Sequence, residues 1–249
     1  MLSGRCLVIL ERMIALRGFD DAGAWTRAVV EDFIDALESA YTAGRSPLFC
    51  LAGGTTPTPA YRAISAALVA RPASPHGPAR LVVGDERSSP RSPGDRNESM
   101  IRDAFSAALA AGAVEIVGWS VESGRAAAIE RMTEFVERLR NAPGVLPGEP
   151  LFDACYLGLG PDGHTAGIFT GQTTVAGATV AVACLAPSEP RERVSLSLST
   201  LASTRRTRFI VRSAGKEDAL RRLAGGDRSS PAVLAAAESA IAFVKESDL

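Results

Sequence analysis

The 249-residue sequence lacks several features that would identify a function class directly. It has no excess of basic charge, since 27 Lys and Arg residues face 28 Asp and Glu residues and the formal net charge is −1. A general nucleic-acid-binding protein carries a strong basic excess, so we expect no nucleic-acid partner. With 46% hydrophobic residues, the chain is neither disordered nor collagen-like.

Residue types that bind metals are also scarce. The chain has two histidines, His76 and His164, and its four cysteines show no C-x-x-C spacing. The cysteines lie inside or beside separate apolar runs, at Cys6, Cys50, Cys155 and Cys184. A structural zinc site requires clustered ligands, so we expect none here. We also expect no other metal and no cofactor. Four buried, reduced thiols are typical of a cytoplasmic protein.

The sequence has no long hydrophobic run, and none of its apolar stretches approaches the roughly 20 residues that cross a bilayer. The first residues include a short apolar run that Glu11 interrupts, and no small-residue cleavage site follows it. This pattern indicates a first strand at residues 6–10 rather than a signal peptide. We therefore expect a soluble, cytoplasmic protein without a membrane partner.

Short apolar runs alternate with amphipathic segments along the whole chain. The runs predict strands at residues 6–10, 48–51, 80–83, 153–159, 180–185, 207–211 and 240–244. Several are apolar on both faces, as in a buried parallel sheet. Apolar residues at helical spacing predict helices around residues 25–41, 100–109 and 129–139. The alternation predicts an α/β fold, with a mostly parallel sheet and helices on both faces. The turn-rich segment 141–150 could be a domain boundary, but the rhythm resumes after it, which favours one domain over residues 1–249.

Three polar segments follow predicted strands, where open α/β sheets bind their ligands. In the first, Gly53, Gly54, Thr55 and Thr56 follow the strand at 48–51, and Pro57 stands where a helix would begin. Glycines allow the backbone to approach an anion, and free N–H groups at a helix start attract phosphate. The alternative is an ordinary strand–helix turn. The segment is not a Walker loop, because Gly-Lys-Ser/Thr is absent.

The second segment places Asp85, Glu86 and Arg87 after the strand at 80–83. The guanidinium fork of Arg87 could clamp a phosphate, and Asp85 or Glu86 could hold sugar hydroxyls or fix Arg87. The alternative is a solvated strand end.

The third segment, GLGPDGHTAGIF at residues 158–169, follows a nearly continuous apolar strand. His164 is a candidate general base, because a histidine side chain ordinarily titrates near pH 6.5. Asp162 could orient the imidazole ring or bind a substrate hydroxyl. The alternative is a histidine that caps a helix. We expect His76, in the proline-rich stretch 71–79, to be exposed.

Taken in order, these motifs resemble the 6-phosphogluconolactonase family over about residues 45–245. The resemblance rests on AGGTTP (52–57), GDER (84–87), Asn97 with Met100, GLGPDGHTAGIF (158–169), RVSLSL (193–198) and GK (215–216). It implies the fold shared with glucosamine-6-phosphate deaminase, ribose-5-phosphate isomerase and CoA transferases. Ala52 departs from the family, which more often begins its phosphate loop with serine.

The resemblance also implies a reaction, the metal-free hydrolysis of a six-membered sugar lactone that carries a 6-phosphate. His164, assisted by Asp162, would deprotonate the attacking water. Phosphate would bind the amides of residues 53–56, with Arg193 and Lys216, and Arg87 would contact either the phosphate or the lactone. The resemblance also implies that Asn97 is one of the residues that bind the substrate. Lys216 could instead be a solvated residue of a first helical turn.

Two alternatives remain open at this point. The related deaminases and isomerases place an acidic residue five positions after their histidine, where this chain has Phe169, and an aromatic residue where it has Arg87. A sugar-phosphate-binding module without activity is the other alternative. A transcriptional sensor is excluded by its need for a basic helix-turn-helix, because residues 1–45 supply only a strand and an acidic amphipathic helix. We expect no obligate protein partner.

Overall fold

A seven-stranded sheet, parallel throughout, forms the centre of the structure, which is a computed structural model describing residues 14–88, 93–171 and 179–246. The strands of the chain are β1 (Ala15–Phe19), β2 (Leu48–Leu51), β3 (Ala79–Val83), β4 (Asp85–Arg87), β5 (Val114–Val117), β6 (Ala154–Leu157), β7 (Ala181–Leu185), β8 (Glu192–Leu196), β9 (Thr207–Arg212) and β10 (Ala240–Lys245). The large sheet has the order β1-β10-β9-β6-β2-β3-β5, and a small antiparallel sheet has the order β4-β8-β7.

Helices connect these strands. They are α1 (Ala22–Thr42), α2 (Thr58–Val69), α3 (Asn97–Ala104), α4 (Ser106–Ala110), α5 (Arg125–Arg140), α6 (Leu198–Ala202), α7 (Glu217–Ala224) and α8 (Pro231–Leu234). Short 3₁₀ turns lie at Pro93–Asp95 and Val121–Ser123. Every residue of β2 and of β6 is buried. Because successive side chains of a strand point to opposite faces, both faces of the central sheet are covered.

The longest helix, α1, shows how the local sequence determines an element. Asp21 caps it, because its carboxylate accepts a hydrogen bond from the N–H of Ala24 at 2.6 Å. Its apolar stripe is buried, and the ring of Phe33 stacks on that of Phe49 with centroids 4.2 Å apart. The predicted stripe at 100–109 is divided at Phe105 into α3 and α4.

The mostly parallel α/β sheet predicted from the sequence is confirmed, and five of its strands, β2, β3, β6, β9 and β10, lie where the apolar runs predicted them. The predicted strand at 153–159 ends at Leu157, and that at 180–185 belongs to the small antiparallel sheet. Strands β1, β4, β5 and β8 were not predicted. The predicted strand at 6–10 lies outside the described residues, as does Cys6; the other three cysteines are buried and form no disulfide.

The ends of the central strands determine where a site can form. In a parallel sheet the carboxyl ends of the strands meet at one edge. The segments that follow β2, β3, β6 and β9 are therefore neighbours, since these four strands are adjacent in the sheet. Among the described helices, none combines the length and hydrophobicity that a bilayer crossing requires.

Candidate active site

A cavity of about 800 Å³ lies at the carboxyl edge of the sheet. Every site residue predicted from the sequence lines it except Glu86, namely Gly53, Gly54, Thr55, Thr56, Asp85, Arg87, Asn97, Asp162, His164, Arg193 and Lys216. These residues come from six separate segments of the chain. The fold therefore brings together the motifs that the sequence analysis selected one by one.

One wall of the cavity is the loop of residues 53–56 between β2 and α2. Within the described part of the chain, none of the four backbone N–H groups of this loop donates a hydrogen bond. Gly54 has φ +89°, a conformation that favours glycine. Four free donors just before a helix N-terminus, where the helix dipole is positive, form a suitable cradle for an anion.

Two arginines of the small sheet line the cavity. Arg87 in β4 lies directly opposite Arg193 in β8, and Asp85 lies opposite Ser195 in the same pair of strands. Like charges that face each other across two strands are destabilising. Burial lowers the pKa of Arg193, and the charge of Arg87 lowers it further, against the opposing effect of Asp85. An anion bound between the two arginines would relieve this repulsion.

A third cation, Lys216, lies at the N-terminal boundary of α7. Its side chain is half-buried, and burial lowers its pKa. It forms no ion pair with any of the described residues. A desolvated ammonium group in a cavity that also holds free amides indicates a site for a negatively charged ligand.

The histidine of the third motif faces the same cavity, and its side chain is 29% exposed. His164 Nδ1 lies 2.5 Å from Asp162 Oδ1, and the backbone N–H of His164 donates to the same oxygen at 3.2 Å. Burial on its own would raise the pKa of Asp162, but the hydrogen bond and charge of His164 outweigh burial and lower it. A neutral ring that directs its Nδ1 proton to Asp162 presents Nε2 as a proton acceptor.

The loop that carries His164 is held in place by its own glycines and by a distant serine. A Cβ atom at Gly160 would lie 2.0 Å from His164 Nδ1, so only glycine fits under the ring. Gly163 has φ +88°, and its carbonyl accepts a hydrogen bond from the Ser230 hydroxyl at 2.9 Å. Thr165 Oγ1 donates to the carbonyl of Gly158 at 2.8 Å. These contacts restrict the positions that the imidazole can take.

The two acidic residues of the second motif have different surroundings. Burial and then the charge of Glu86 raise the pKa of Asp85 to about 6, although Arg193 and Arg87 lower it. Glu86 points away from the cavity, and its carboxylate accepts hydrogen bonds from three backbone N–H groups. The carboxylate of Glu86 therefore makes structural hydrogen bonds in the place of the substrate contact that the sequence analysis predicted.

Other residues line the cavity that the sequence analysis did not propose as binding residues. They are chiefly Ala166, Phe169, Ile210 and residues 186–188 in the β7–β8 connection. Pro187 and Pro190 were available signals for a turn after β7. Nothing in the local sequence indicates that this turn reaches the cavity, because its position depends on the pairing of β8 with β4.

The residues present favour acid–base chemistry on a small anionic substrate. Among the described residues, no group of three or more His, Cys, Asp or Glu side chains could hold a metal ion. His76 is exposed, as predicted, and does not line the cavity. The cavity combines one histidine–carboxylate pair, one anion cradle and three cations.

Comparison with known proteins gives consistent results. The family model described as glucosamine-6-phosphate isomerases/6-phosphogluconolactonase matches residues 20–243. A Pseudomonas putida 6-phosphogluconolactonase is 30% identical over 217 residues, covering 83% of this chain and 82% of that protein. A shorter alignment of 97 residues with a Caenorhabditis elegans relative is 35% identical and covers 37% of this chain and 36% of that protein.

A solved structure is similar over nearly the whole chain. The crystal structure of a 6-phosphogluconolactonase from Thermotoga maritima has a TM-score of 0.75 and 20% sequence identity, and the match covers 94% of this chain and 100% of that chain. At this level of identity the likeness shows the fold, which is the one that the motifs implied.

Proposed function

The chain belongs to the glucosamine-6-phosphate isomerase/6-phosphogluconolactonase family, and we propose that it hydrolyses 6-phospho-D-glucono-1,5-lactone to 6-phospho-D-gluconate, a step of the oxidative pentose phosphate pathway. The observation that carries this proposal is the presence of the His164–Asp162 pair and the free amides of residues 53–56 in one cavity. The first supplies a base, and the second supplies a place for the phosphate of the substrate.

His164 is the general base in this proposal. Its Nε2 takes a proton from a water molecule, and the water oxygen forms a bond to C1 of the lactone. The bond from C1 to the ring oxygen then breaks, and that oxygen takes the proton from Nε2 of the imidazolium and becomes a hydroxyl group. Asp162, whose lowered pKa keeps it ionised, holds the Nδ1 proton and stabilises the imidazolium that forms. General base catalysis of this kind contributes about 10²–10⁴-fold to a rate.

The phosphate of the substrate is bound far from C1. The N–H groups of residues 53–56 and the side chains of Arg193 and Lys216 surround it. Each of these donors can form a charge-assisted hydrogen bond to a phosphate oxygen. Binding there places the lactone ring over the histidine, so the remote phosphate contributes to orientation at the reacting carbon.

The sugar ring lies between these two ends. Asp85 and Asn97 contact its hydroxyl groups in this proposal, since both line the same cavity. Arg87 lies opposite Arg193 and lines the same cavity, and in this proposal it contacts the phosphate or the lactone.

The geometry does not favour a deaminase or isomerase. The position where those relatives are expected to have an acidic residue is Phe169, whose ring packs against His164. No carboxylate at that position can move a proton between sugar carbons. We propose further that the protein acts in the cytoplasm on a free small molecule, with no obligate protein partner.

A time course of lactone decay tests the proposed function. The lactone is generated by oxidation of glucose 6-phosphate, and its disappearance is followed with and without the purified protein. The proposal predicts decay much faster than the spontaneous reaction. Ammonia release from glucosamine 6-phosphate, with no acceleration of lactone decay, would instead support the deaminase alternative.

A further inference from the structure

Glu86 is the predicted site residue that lies outside the cavity, and its surroundings suggest another role. The residue is 1% exposed. Its Oε1 accepts hydrogen bonds from the backbone N–H groups of Arg87, at 2.7 Å, and Asn97, at 2.9 Å, and its Oε2 accepts one from that of Glu98, at 2.8 Å. An ionised carboxylate only accepts hydrogen bonds, so it suits a position surrounded by three donors.

Two of these donors are the N–H groups of Asn97 and Glu98, the first two residues of helix α3. The residue before the helix, Arg96, provides no side-chain cap. The first N–H groups of a helix have no partner within the helix and need one elsewhere. Glu86 supplies that cap from strand β4, so the place where α3 begins depends on a residue of the small sheet.

The first residue of α3, Asn97, reaches the cavity. Its side-chain Nδ2 donates to the carbonyl of Asp85 at 2.7 Å, which directs the amide group toward the loop of residues 53–56. A Cβ atom at Gly53 would lie 2.0 Å from Asn97 Oδ1, so the Asn97 side chain packs directly against the backbone of Gly53. Asn97 therefore packs against the loop of residues 53–56, whose N–H groups form the anion cradle.

We propose that Glu86 is a positioning residue that sets the anion affinity of the loop of residues 53–56 through Asn97. The inference rests on the proposed function only in taking the anion to be the phosphate of the substrate. Glu86 touches no substrate in this account. Glu86 fixes the position at which α3 begins, and this fixes the position of Asn97. Because Asn97 packs against Gly53, the loop then keeps the shape in which its free N–H groups converge on one anion.

The test substitutes Glu86→Gln and measures the binding of inorganic phosphate by calorimetry. Glutamine keeps the size of the side chain but directs an N–H₂ group at backbone N–H donors, so the first turn of α3 must shift. Losing a hydrogen bond to a charged group weakens binding by roughly tenfold or more, and we expect that loss of phosphate affinity. With the lactone, the KM should rise by a similar factor and kcat should fall less.

Asp153→Asn is a matched control. The carboxylate of Asp153 is also buried and accepts a backbone hydrogen bond, from Leu48 at 2.9 Å, and it forms an ion pair with Arg45. Leu48 begins β2, so this site lies at the opposite edge of the sheet from the cavity. A loss of stability without a loss of phosphate affinity is expected for Asp153→Asn. An equal loss of phosphate affinity in both variants would overturn the proposal.

A double-variant cycle tests the route through Asn97. If Glu86 acts through Asn97, the variant with both Glu86→Gln and Asn97→Ala should bind phosphate no more weakly than Asn97→Ala alone. Additive losses would contradict that route. Should Glu86→Gln fail to fold, Asn97→Ala still decides the matter, because phosphate affinity equal to that of the parent protein refutes the proposal.

The phosphate measurement also separates this inference from the proposed function. It contains no lactone and requires no turnover. A protein that fails to hydrolyse the lactone but loses phosphate affinity on Glu86→Gln would refute the proposed function and support the role of Glu86. The reverse result would refute the role of Glu86 alone.

Discussion

The ring of Phe169 packs against the ring of His164, with centroids 4.5 Å apart and planes inclined by 41°. Phe169 is buried, while Asp162 holds the Nδ1 edge of the same imidazole. The histidine is therefore restrained on one face and at one edge, and its remaining nitrogen is directed by these two contacts. Such restraint is what a general base needs, because proton transfer depends on placement within a fraction of an ångström.

Removal of the Phe169 ring should leave His164 in place but let its imidazole ring move. For Phe169→Ala we expect kcat to fall by about 10–100-fold, since a misplacement of about 1 Å can cost a factor of that size. The KM should change little, because Phe169 is not among the anion-binding groups. Steady-state kinetics check this result, with Phe19→Ala, in the edge strand β1, as the control for a lost aromatic ring. An unchanged kcat would mean that the ring packing does not orient His164.

Lys216→Ala should lower kcat/KM for a phosphorylated lactone more than for a lactone without phosphate. A hydrogen bond to a charged group is worth roughly 1.5–3 kcal/mol, so kcat/KM for the phosphorylated lactone should fall by about 10–150-fold. The poor hydrolysis of plain gluconolactone should hardly change. The chain's other lysine, Lys245 in β10, provides the control, because it does not line the cavity. Equal losses on both lactones would show that Lys216 does not bind the phosphate.

Asp85 predicts a dependence of stability on pH. Burial raises its pKa from 3.8 to about 6, so the folded protein binds a proton more tightly at this carboxyl than the unfolded chain does. The favourable contribution is complete below about pH 4 and is lost as the pH rises through 6. Asp85→Asn removes this dependence. As the pH rises from 4 to 7, we expect the free energy of unfolding of the parent protein to fall by about 1–3 kcal/mol relative to that of the variant.

Denaturant titrations of both proteins across that pH range measure the difference. The buffers must be free of phosphate and sulfate, because an anion near Arg193 would change the charge that Asp85 faces. Parallel curves for the two proteins would show that Asp85 titrates as an ordinary exposed carboxylate.

Chelation tests the metal-free mechanism. The sequence has two histidines and scattered cysteines, which cannot build a first-row metal site of ordinary nitrogen and sulfur ligands. We therefore expect prolonged dialysis against a chelator to leave kcat and KM unchanged. Activity that is lost in this treatment and restored by one particular divalent ion would refute the mechanism.

The sequence predicted the centre of the fold well, for a physical reason. Strands β2, β3, β6 and β9 lie where apolar runs end in glycine or polar residues, and burial of such runs in a parallel sheet depends mainly on local composition. The loops that follow these strands hold most of the predicted site. Their clustering follows from the parallel arrangement itself.

Two strands of the small sheet, β4 and β8, could not be predicted in the same way. β4 and β8 are short and carry charges, and each is stabilised by pairing with a segment far away along the chain. From the sequence, residues 85–87 are interpreted as charged residues after a strand, forming either a binding site or a solvated strand end. Once they are known to form a strand, period-two alternation separates Glu86 from Asp85 and Arg87. The role of Glu86 therefore depends on a pairing that its local sequence does not reveal.

The most direct test of the account is the turnover of His164→Ala on the phosphorylated lactone. His76→Ala, which removes the chain's other histidine from an exposed position away from the cavity, is the matched control. We expect His164→Ala to lower kcat by about 10²-fold or more, because general base catalysis is lost. Its affinity for inorganic phosphate should stay close to that of the parent protein, and His76→Ala should retain full activity. A His164→Ala variant with near-normal kcat would contradict the central claim that His164 activates the attacking water.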